Sequence, residues 1–583
     1  MAEAVVQVEP ETQQRGTRPA PSLALSIVIG FYLIVWLFTR AHFMADTNVY
    51  TQAILRRQRG GTETDFRSLT SNPFWDFGHI LWRPMGWLLS ELSRPATQLI
   101  AHQNQKAEVL LTLFGINFLA SIGCVVCFFL LAKRMTGHPW TAGMATIGFF
   151  SADAFLDYSH SGNAYVVGLA CLVAGMYFWW REPRSEWTLT RVLAAAVFFA
   201  LSVLFWLPYA FVLPAAMLAP LLLYDRGNWR LRRTLQLVLV CSALGLTVYG
   251  TTIIAVGIHN LTDLREWILA AGHGHIQPGG IRAVARLAFA VPRSFVYMDR
   301  DGMWLKRYLV HDPYAQVTTR TLWGLSIWKL LFSYACATVV CIDLFRTPRG
   351  RILVLLLMAT VLPIFFFAVF IFEAGSIERY LPLYPFIFVA LGYVLANREA
   401  KRWSKALLIA ALAAMFVVNV NAMFWSTAES RKAEAVSRIH DIIPLLNPNS
   451  LVLAVNEQDS LAEFRQNYPL DPTNLSGNLR TYDVLEINTE RLATWRRDLA
   501  ERVSWTWQRG GAVWLPARFL SPTPNPEWNW VEGDDKRVHW TDLPAFFARF
   551  DTGAKIGGED GFLQLMNNDH NRLLFEAVRK NGE

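Results

Sequence analysis

Between Leu23 and Trp425 the chain returns repeatedly to apolar runs of about 17–25 residues, the length a helix needs to cross a hydrocarbon layer roughly 30 Å thick. This recurrence constrains the fold more than any motif. Inside lipid no water is available to a backbone N–H or C=O, so each run must close its hydrogen bonds internally as a helix. Eleven runs fall near 22–39, 108–132, 138–154, 163–180, 190–206, 208–224, 234–257, 321–343, 351–371, 380–396 and 405–425. Leu207-Pro208 marks the joint between the fifth and sixth, because proline cannot continue the helical ladder. The expected fold is mainly α: a polytopic helical bundle of about eleven spans over 22–425, with a soluble α/β domain over 426–583. A polar segment, 1–21, is expected to be disordered on the cytoplasmic side. Leu23–Phe38 reads as an uncleaved first helix, since the residues before Asp46 lack a small residue three positions back. Of the 583 residues 53% are hydrophobic, more than a soluble globular chain of this length would hide.

The net charge of +8 does not point to nucleic acid, because the basic residues gather in short connections. Lys133-Arg134, Arg181/Arg184/Arg191, Arg226/Arg230/Arg232/Arg233, Arg346/Arg349/Arg351 and Arg398/Lys401/Arg402/Lys405 all fall on one side if there are eleven spans. The positive-inside rule makes that side cytoplasmic. The N-terminus is then inside, the C-terminal domain is extracytoplasmic, and the expected location is a plasma (inner) membrane. All six cysteines lie in or beside apolar runs and the C-terminal domain has none, so no disulfide framework is expected there. Cys124 and Cys127 have metal-like spacing without a second ligand pair, and packing is the better reading.

The outer connections are then 40–107, 151–163, 259–320 and 372–379. Two helices lying in the interface are expected in the first, one around Tyr50, Ala53 and Ile54 and one along Trp82, Met85, Leu88, Leu89 and Leu92. Arg282, Arg286 and Arg293 share one face of a third such helix, whose opposite face carries Val284, Leu287, Ala288 and Val291 and which is suited to lipid headgroups. In the C-terminal domain Leu451–Val455 and Ala512–Pro516 read as strands and Thr489–Val503 as a helix. Its tryptophans (Trp505, Trp507, Trp514, Trp528, Trp530, Trp540) are better explained as core or membrane-facing than as sugar platforms.

The centres of the spans are almost bare of ionisable residues, unlike those of an ion-coupled transporter. The charges sit at the outer rim instead. Asp46 follows the first span within a few residues, and there a carboxylate suits the removal of a proton from an attacking hydroxyl, or the capping of the helix that follows. Arg379, at the mouth of a late span, suits a phosphate gaining charge, or an interfacial ion pair; Glu378 beside it can orient it or contact sugar hydroxyls. His79 and Arg83, in His79-Ile80-Leu81-Trp82-Arg83-Pro84, are four apart and suit a phosphate clamp, with a helix start at Pro84 as the plainer reading. Asp157 and His160 in the second outer connection could join Asp46 in binding a divalent metal if the loops meet, or be solvated loop polars.

In their order along the chain these features resemble the GT-C superfamily of integral membrane glycosyltransferases, which includes protein O-mannosyltransferases and the aminoarabinose transferases of lipid A. The similar features are the acid soon after the first span (Asp46), interfacial helices, many later spans, and the segment Glu378-Arg379-Tyr380-Leu381-Pro382-Leu383-Tyr384-Pro385. The His79 to Pro84 stretch is similar to the His…Arg-Pro element of some mannosyltransferase-like members. The resemblance covers roughly 20–425. It implies a polyprenyl-phosphate-linked hexose or pentose as donor, a glycan, lipid or protein acceptor, inversion at the anomeric carbon, and an acidic base on the outer face of the cell envelope. On it Asp46 is the base, Arg379, Arg83 and His79 bind the donor phosphate, and Glu378, Tyr380, Asp157 and His160 bind substrate. Many members carry paired acids after the first helix, whereas Thr47 follows Asp46 here, which leaves metal dependence open. A transporter or flippase of lipid-linked sugars and a ligase or polymerase of lipid-diphosphate-linked glycans are the competing readings.

Overall fold

The computed structural model describes residues 21–39, 45–58, 74–101, 105–180, 188–224, 228–270, 280–298, 327–371, 374–426, 442, 445–446, 449–454, 483–487, 492–523, 538–557 and 561–581. The N-terminal segment 1–20, Trp528 and Trp530 lie outside them.

The first part of the chain is helical: α1 Pro21–Phe38, α2 Ala45–Gln58, α3 Trp82–Ala101, α4 Gln105–Thr136, α5 Pro139–Ser151, α6 Asp153–Ser159, α7 Tyr165–Trp179, α8 Leu189–Phe205, α9 Leu213–Leu223, α10 Asn228–Val256, α11 Leu261–Ala270, α12 Gly280–Phe295, α13 Ile327–Phe345, α14 Pro348–Phe370, α15 Tyr384–Ala396 and α16 Arg402–Asn421. Among the described residues each of the eleven apolar runs meets a helix; 321–326 lie outside them. Among the described residues six helices are long and apolar enough to cross a membrane: Ala107–Thr136, Arg230–Val256, Ile327–Phe345, Pro348–Phe370, Ile377–Ala396 and Arg402–Phe424. Others are shorter, such as α5 with 13 residues and α9 with 11. At 1.5 Å per residue α5 covers about 20 Å, less than a bilayer core. Such pieces are tolerated because they are packed inside protein; Phe149, Phe150, Ala215 and Ala216 are all buried.

Polar ties fasten the short helices where water is absent. Tyr32 of α1 donates to Ser121 of α4 at 2.6 Å. Trp179 and Trp180 donate to the carbonyls of Met217 and Ala216 at 2.7 and 2.8 Å, joining the end of α7 to α9. Arg134 caps the C-terminal carbonyls of α7, Tyr177 O at 2.6 Å and Trp180 O at 2.9 Å, where a cation also meets the negative end of the helix dipole. Asn419 of α16 is a buried hub. Its amide donates to Ser151 O and Phe295 O, both at 2.7 Å, and its oxygen accepts Tyr297 N–H at 2.8 Å.

Two helices depart in detail from their expected faces. In α3, Leu88 and Leu92 are exposed while Trp82 is fully buried, so the stripe is split between solvent or lipid and protein. In α12, Leu287 is buried but Val284 and Ala288 are exposed; the packed face runs through Ala283, Leu287 and Ala290 instead.

Among the described residues the C-terminal part holds a four-stranded sheet of order β2-β1-β3-β4, with β1 Leu451–Ala454, β2 Asp483–Glu486, β3 Val513–Pro516 and β4 Phe562–Leu565. β1 pairs in parallel with β2 and β3, and β4 closes the edge antiparallel to β3. Helices α17 Trp495–Gln508, α18 Asp542–Phe547 and α19 Asp569–Asn581 accompany it. Leu451, Leu453, Val513 and Leu515 face a core with Trp495, Leu499, Phe546 and Phe575, whereas Val452, Trp514 and Phe562 pack on the other face with Ile442 and Leu446. Both faces are covered, as a mostly parallel sheet requires. Trp507, Trp514 and Trp540 are core residues; Trp505 is exposed, with the Arg509 guanidinium 3.8 Å from its ring centre.

Candidate active site

Asp46 lies in the first turn of α2, where a carboxylate meets the positive end of the helix dipole. The neighbouring Thr47 anchors that turn. Its hydroxyl accepts Gly162 N–H at 2.9 Å, and Trp82 donates to Gly162 O at 3.0 Å. Glycine is required at 162 because a Cβ there would sit 2.6 Å from the Thr47 methyl and 3.1 Å from Leu113. Asn117 of α4 braces the same loop through Ser161 O at 2.7 Å and Asn163 O at 2.8 Å. The second connection, 151–163, is therefore locked against the first.

This lock brings Tyr165, the first residue of α7, onto Asp46: its hydroxyl donates to Asp46 Oδ2. The Tyr165 ring packs edge-on against Tyr158 (centroids 4.9 Å apart, 89°) and against Trp206 at 4.7 Å. Tyr158, on α6, donates to Glu378 Oε2 at 2.8 Å. The other Glu378 oxygen faces Arg379 Nε at 3.7 Å, and the Arg379 guanidinium lies 5.7 Å from the Trp206 ring centre. Two tyrosines and one tryptophan thus bridge Asp46 to the Glu378-Arg379 pair, which the chain separates by most of the bundle. Burial, then the charges of Glu378 and Asp157, push the Tyr158 phenol well above its usual range, so it stays a hydroxyl donor.

On the other side of Asp46, Tyr50 of α2 is fully enclosed, and burial followed by the charges of Asp46 and Asp76 pushes its phenol up. The Arg83 guanidinium lies 5.3 Å from the Tyr50 ring centre, and His79 packs against Tyr50 at 5.5 Å and Tyr165 at 5.7 Å. Arg83 is bound to Asp76 at 3.0 Å in a buried pair, while Asp76 also caps Gly78 N at 2.9 Å. Removing either partner of such a pair costs about 3–5 kcal/mol. His79, in the short turn Phe77–His79, directs Nδ1 to Phe205 O at 3.1 Å, so that nitrogen carries the proton. Burial pulls its pKa below the usual imidazole value, opposed in part by Asp76 and Asp46.

The structure brings together Asp46, His79, Arg83, Glu378 and Arg379. Asp157 is buried beside Tyr158. Tyr380 faces elsewhere, donating to Ala374 O at 2.7 Å. His160 is occupied by the backbone. Its ring nitrogens lie 2.8 Å from Leu156 O and 2.9 Å from Trp36 O, and the ring stacks on Trp36 at 4.8 Å, tying the end of α1 to this loop. Among the described residues no group of three or more His, Cys, Asp or Glu side chains is arranged to hold a metal ion. Tyr165, Tyr158 and Trp206 were missed from sequence, where nothing distinguishes them from the many other aromatic residues at span ends.

No protein-family model matches the sequence, and no curated protein matches it. Solved structures do. The crystal structure of ArnT from Cupriavidus metallidurans bound to undecaprenyl phosphate aligns with a TM-score of 0.51 at 12% identity, covering 94% of this chain and 99% of that one. The archaeal oligosaccharyltransferase AglB from Archaeoglobus fulgidus, in complex with an inhibitory peptide and a dolichol-phosphate, aligns at 0.49 and 10% identity, covering 94% of this chain and 74% of that one. The chain shares its fold with ArnT over nearly the full length of both proteins.

Proposed function

We propose that the protein is a GT-C glycosyltransferase that moves a sugar from a polyprenyl-phosphate donor to a hydroxyl acceptor on a glycan, lipid or protein. The observation that carries this reading is the bridge from Asp46 through Tyr165 and Trp206 to Arg379. In this reading Asp46 takes the proton from the acceptor hydroxyl as its oxygen bonds to the anomeric carbon. The bond from that carbon to the phosphate oxygen breaks, and its electron pair leaves with the polyprenyl phosphate. Arg379, held by Glu378, stabilises the charge that grows there, and a single displacement inverts the anomeric centre. His79 and Arg83 lie on the far side of Asp46 and add phosphate-binding capacity. We assign Tyr380, Asp157 and His160 to the packing around the site, in keeping with the burial of Tyr380 and Asp157 and the backbone contacts of Tyr380 and His160.

The similarity to ArnT bound to undecaprenyl phosphate supports a lipid-phosphate donor. The full topology belongs to the same proposal: eleven crossings of an inner membrane, a cytoplasmic N-terminus, and the site and C-terminal domain outside. Asp46→Asn tests the chemistry. Purified protein incubated with labelled polyprenyl-phosphate sugars should lose transfer by about 100- to 10,000-fold while still binding donor. Wild-type turnover by this variant would remove Asp46 as the base and with it the mechanism.

A further inference from the structure

A carboxylate acting as base has two oxygens, and only one need face the acceptor. At Asp46 the other, Oδ2, is taken by the Tyr165 hydroxyl. Tyr165 itself has little freedom. Tyr158, Trp206 and His79 surround its ring, and its backbone carbonyl accepts the Tyr209 hydroxyl at 2.7 Å. One turn along α7, Gly168 leaves no space for rearrangement, since a Cβ there would lie 2.5 Å from the Tyr209 ring.

The arrangement repeats on the opposite side with a different client. Tyr158 is fixed at right angles to Tyr165, and its hydroxyl holds one Glu378 oxygen at 2.8 Å, leaving the other for Arg379. The two tyrosines flank one tight loop, 159–164, which is itself locked by Thr47, Trp82 and Asn117. One rigid loop therefore fixes both ends of the site. Such rigidity matters because a reacting group displaced by about 1 Å can lose on the order of 100-fold in rate.

We propose that Tyr165 and Tyr158 are positioning residues with divided duties: Tyr165 orients the base carboxylate of Asp46, and Tyr158 orients Glu378 and through it the Arg379 guanidinium. The inference rests on the reading given under Proposed function. Neither tyrosine touches substrate. Each acts by removing one oxygen of a carboxylate from play.

The test is a steady-state comparison of full-length wild type, Tyr165→Phe, Tyr158→Phe and Asp46→Asn, using a labelled polyprenyl-phosphate sugar that the wild type turns over. Phenylalanine keeps the packed ring, so both variants should fold, with melting temperatures lowered by only a few degrees for the lost hydrogen bond. Y165F should lower kcat by about 10- to 100-fold with donor KM within about twofold, because the hydroxyl it removes holds the base and not Glu378 or Arg379. Y158F should raise donor KM by about 10-fold with a smaller change in kcat. If Y165F does not fold, 3-fluorotyrosine at position 165 alters the hydroxyl without altering the packing, and kcat alone should shift. Wild-type turnover in D46N overturns the mechanism itself. An inactive D46N, with both tyrosine variants at wild-type kcat and KM or both moving the same parameter, overturns the divided duties while leaving that mechanism standing.

Discussion

At the residue scale, the neighbours of His79 fix how it can serve a phosphate. Nδ1 donates to Phe205 O, so only a doubly protonated ring can offer a second N–H from Nε2. Burial disfavours that charged form in the free protein, against the pull of Asp76 and Asp46 and with Arg83 working in the same direction as burial. Tyr50, which also packs on the ring, stays a neutral hydroxyl, because burial pushes its phenol up. A bound donor phosphate would raise the proton affinity of His79, so donor binding takes up a proton. The contribution of His79 to affinity is then full at pH below its free value and is lost as pH climbs through its donor-bound value. Donor affinity measured by titration between pH 5 and pH 8 should weaken with rising pH, on the order of 10-fold. His79→Gln should flatten that dependence. A wild-type affinity that does not change with pH would exclude His79 from the phosphate contact.

At the element scale, the site is assembled from interruptions in helices rather than from their middles. The break at Ala152 separates α5 from α6 and lets Tyr158 return toward Glu378. The extended residue Trp206 ends α8, and its ring lies under Tyr165 and Arg379. The 3-10 turn Ile377–Leu383 carries Glu378 and Arg379 at the head of α15. These breaks interrupt the ladder of hydrogen bonds and persist only because the bundle encloses them. The contact of Gly162 with Thr47 holds α2 to this assembly, so Gly162→Ala should push Asp46 out of register with Tyr165. Its expected effect is a loss of about 1–3 kcal/mol of stability from overpacking and at least a 10-fold fall in turnover. Thermal unfolding and the transfer assay check the two parts, and a fully active G162A would show that the α2 contact does not govern the base.

At the scale of the whole molecule, the basic connections and the C-terminal domain should lie on opposite sides of the membrane. A cysteine replacing exposed Thr523 should react with an impermeant maleimide added outside intact cells, and one replacing exposed Arg349 should react only after the membrane is opened. Labelling of both from outside would overturn the proposed orientation. Much of this scale was legible in the sequence. Apolar runs must be helical in lipid whatever their neighbours, so each expected run meets a helix, and the strands near 451 and 513 and the helix before Val503 were readable from their patterns. Asp46, Glu378, Arg379, His79 and Arg83 stood out because charge at a membrane rim is costly and therefore conspicuous. What the sequence left undetermined were relations between distant segments. A buried aromatic ring looks the same in sequence whether it packs lipid, core or the residues around Asp46 and Glu378, so Tyr158, Tyr165 and Trp206 had no mark. Nor could local pattern reveal that His160 would turn onto the carbonyl of Trp36, 124 positions earlier. Helix formation is decided within one run by its own backbone hydrogen bonds. A hydrogen bond between residues more than a hundred positions apart is decided only when the packed bundle brings their two segments together.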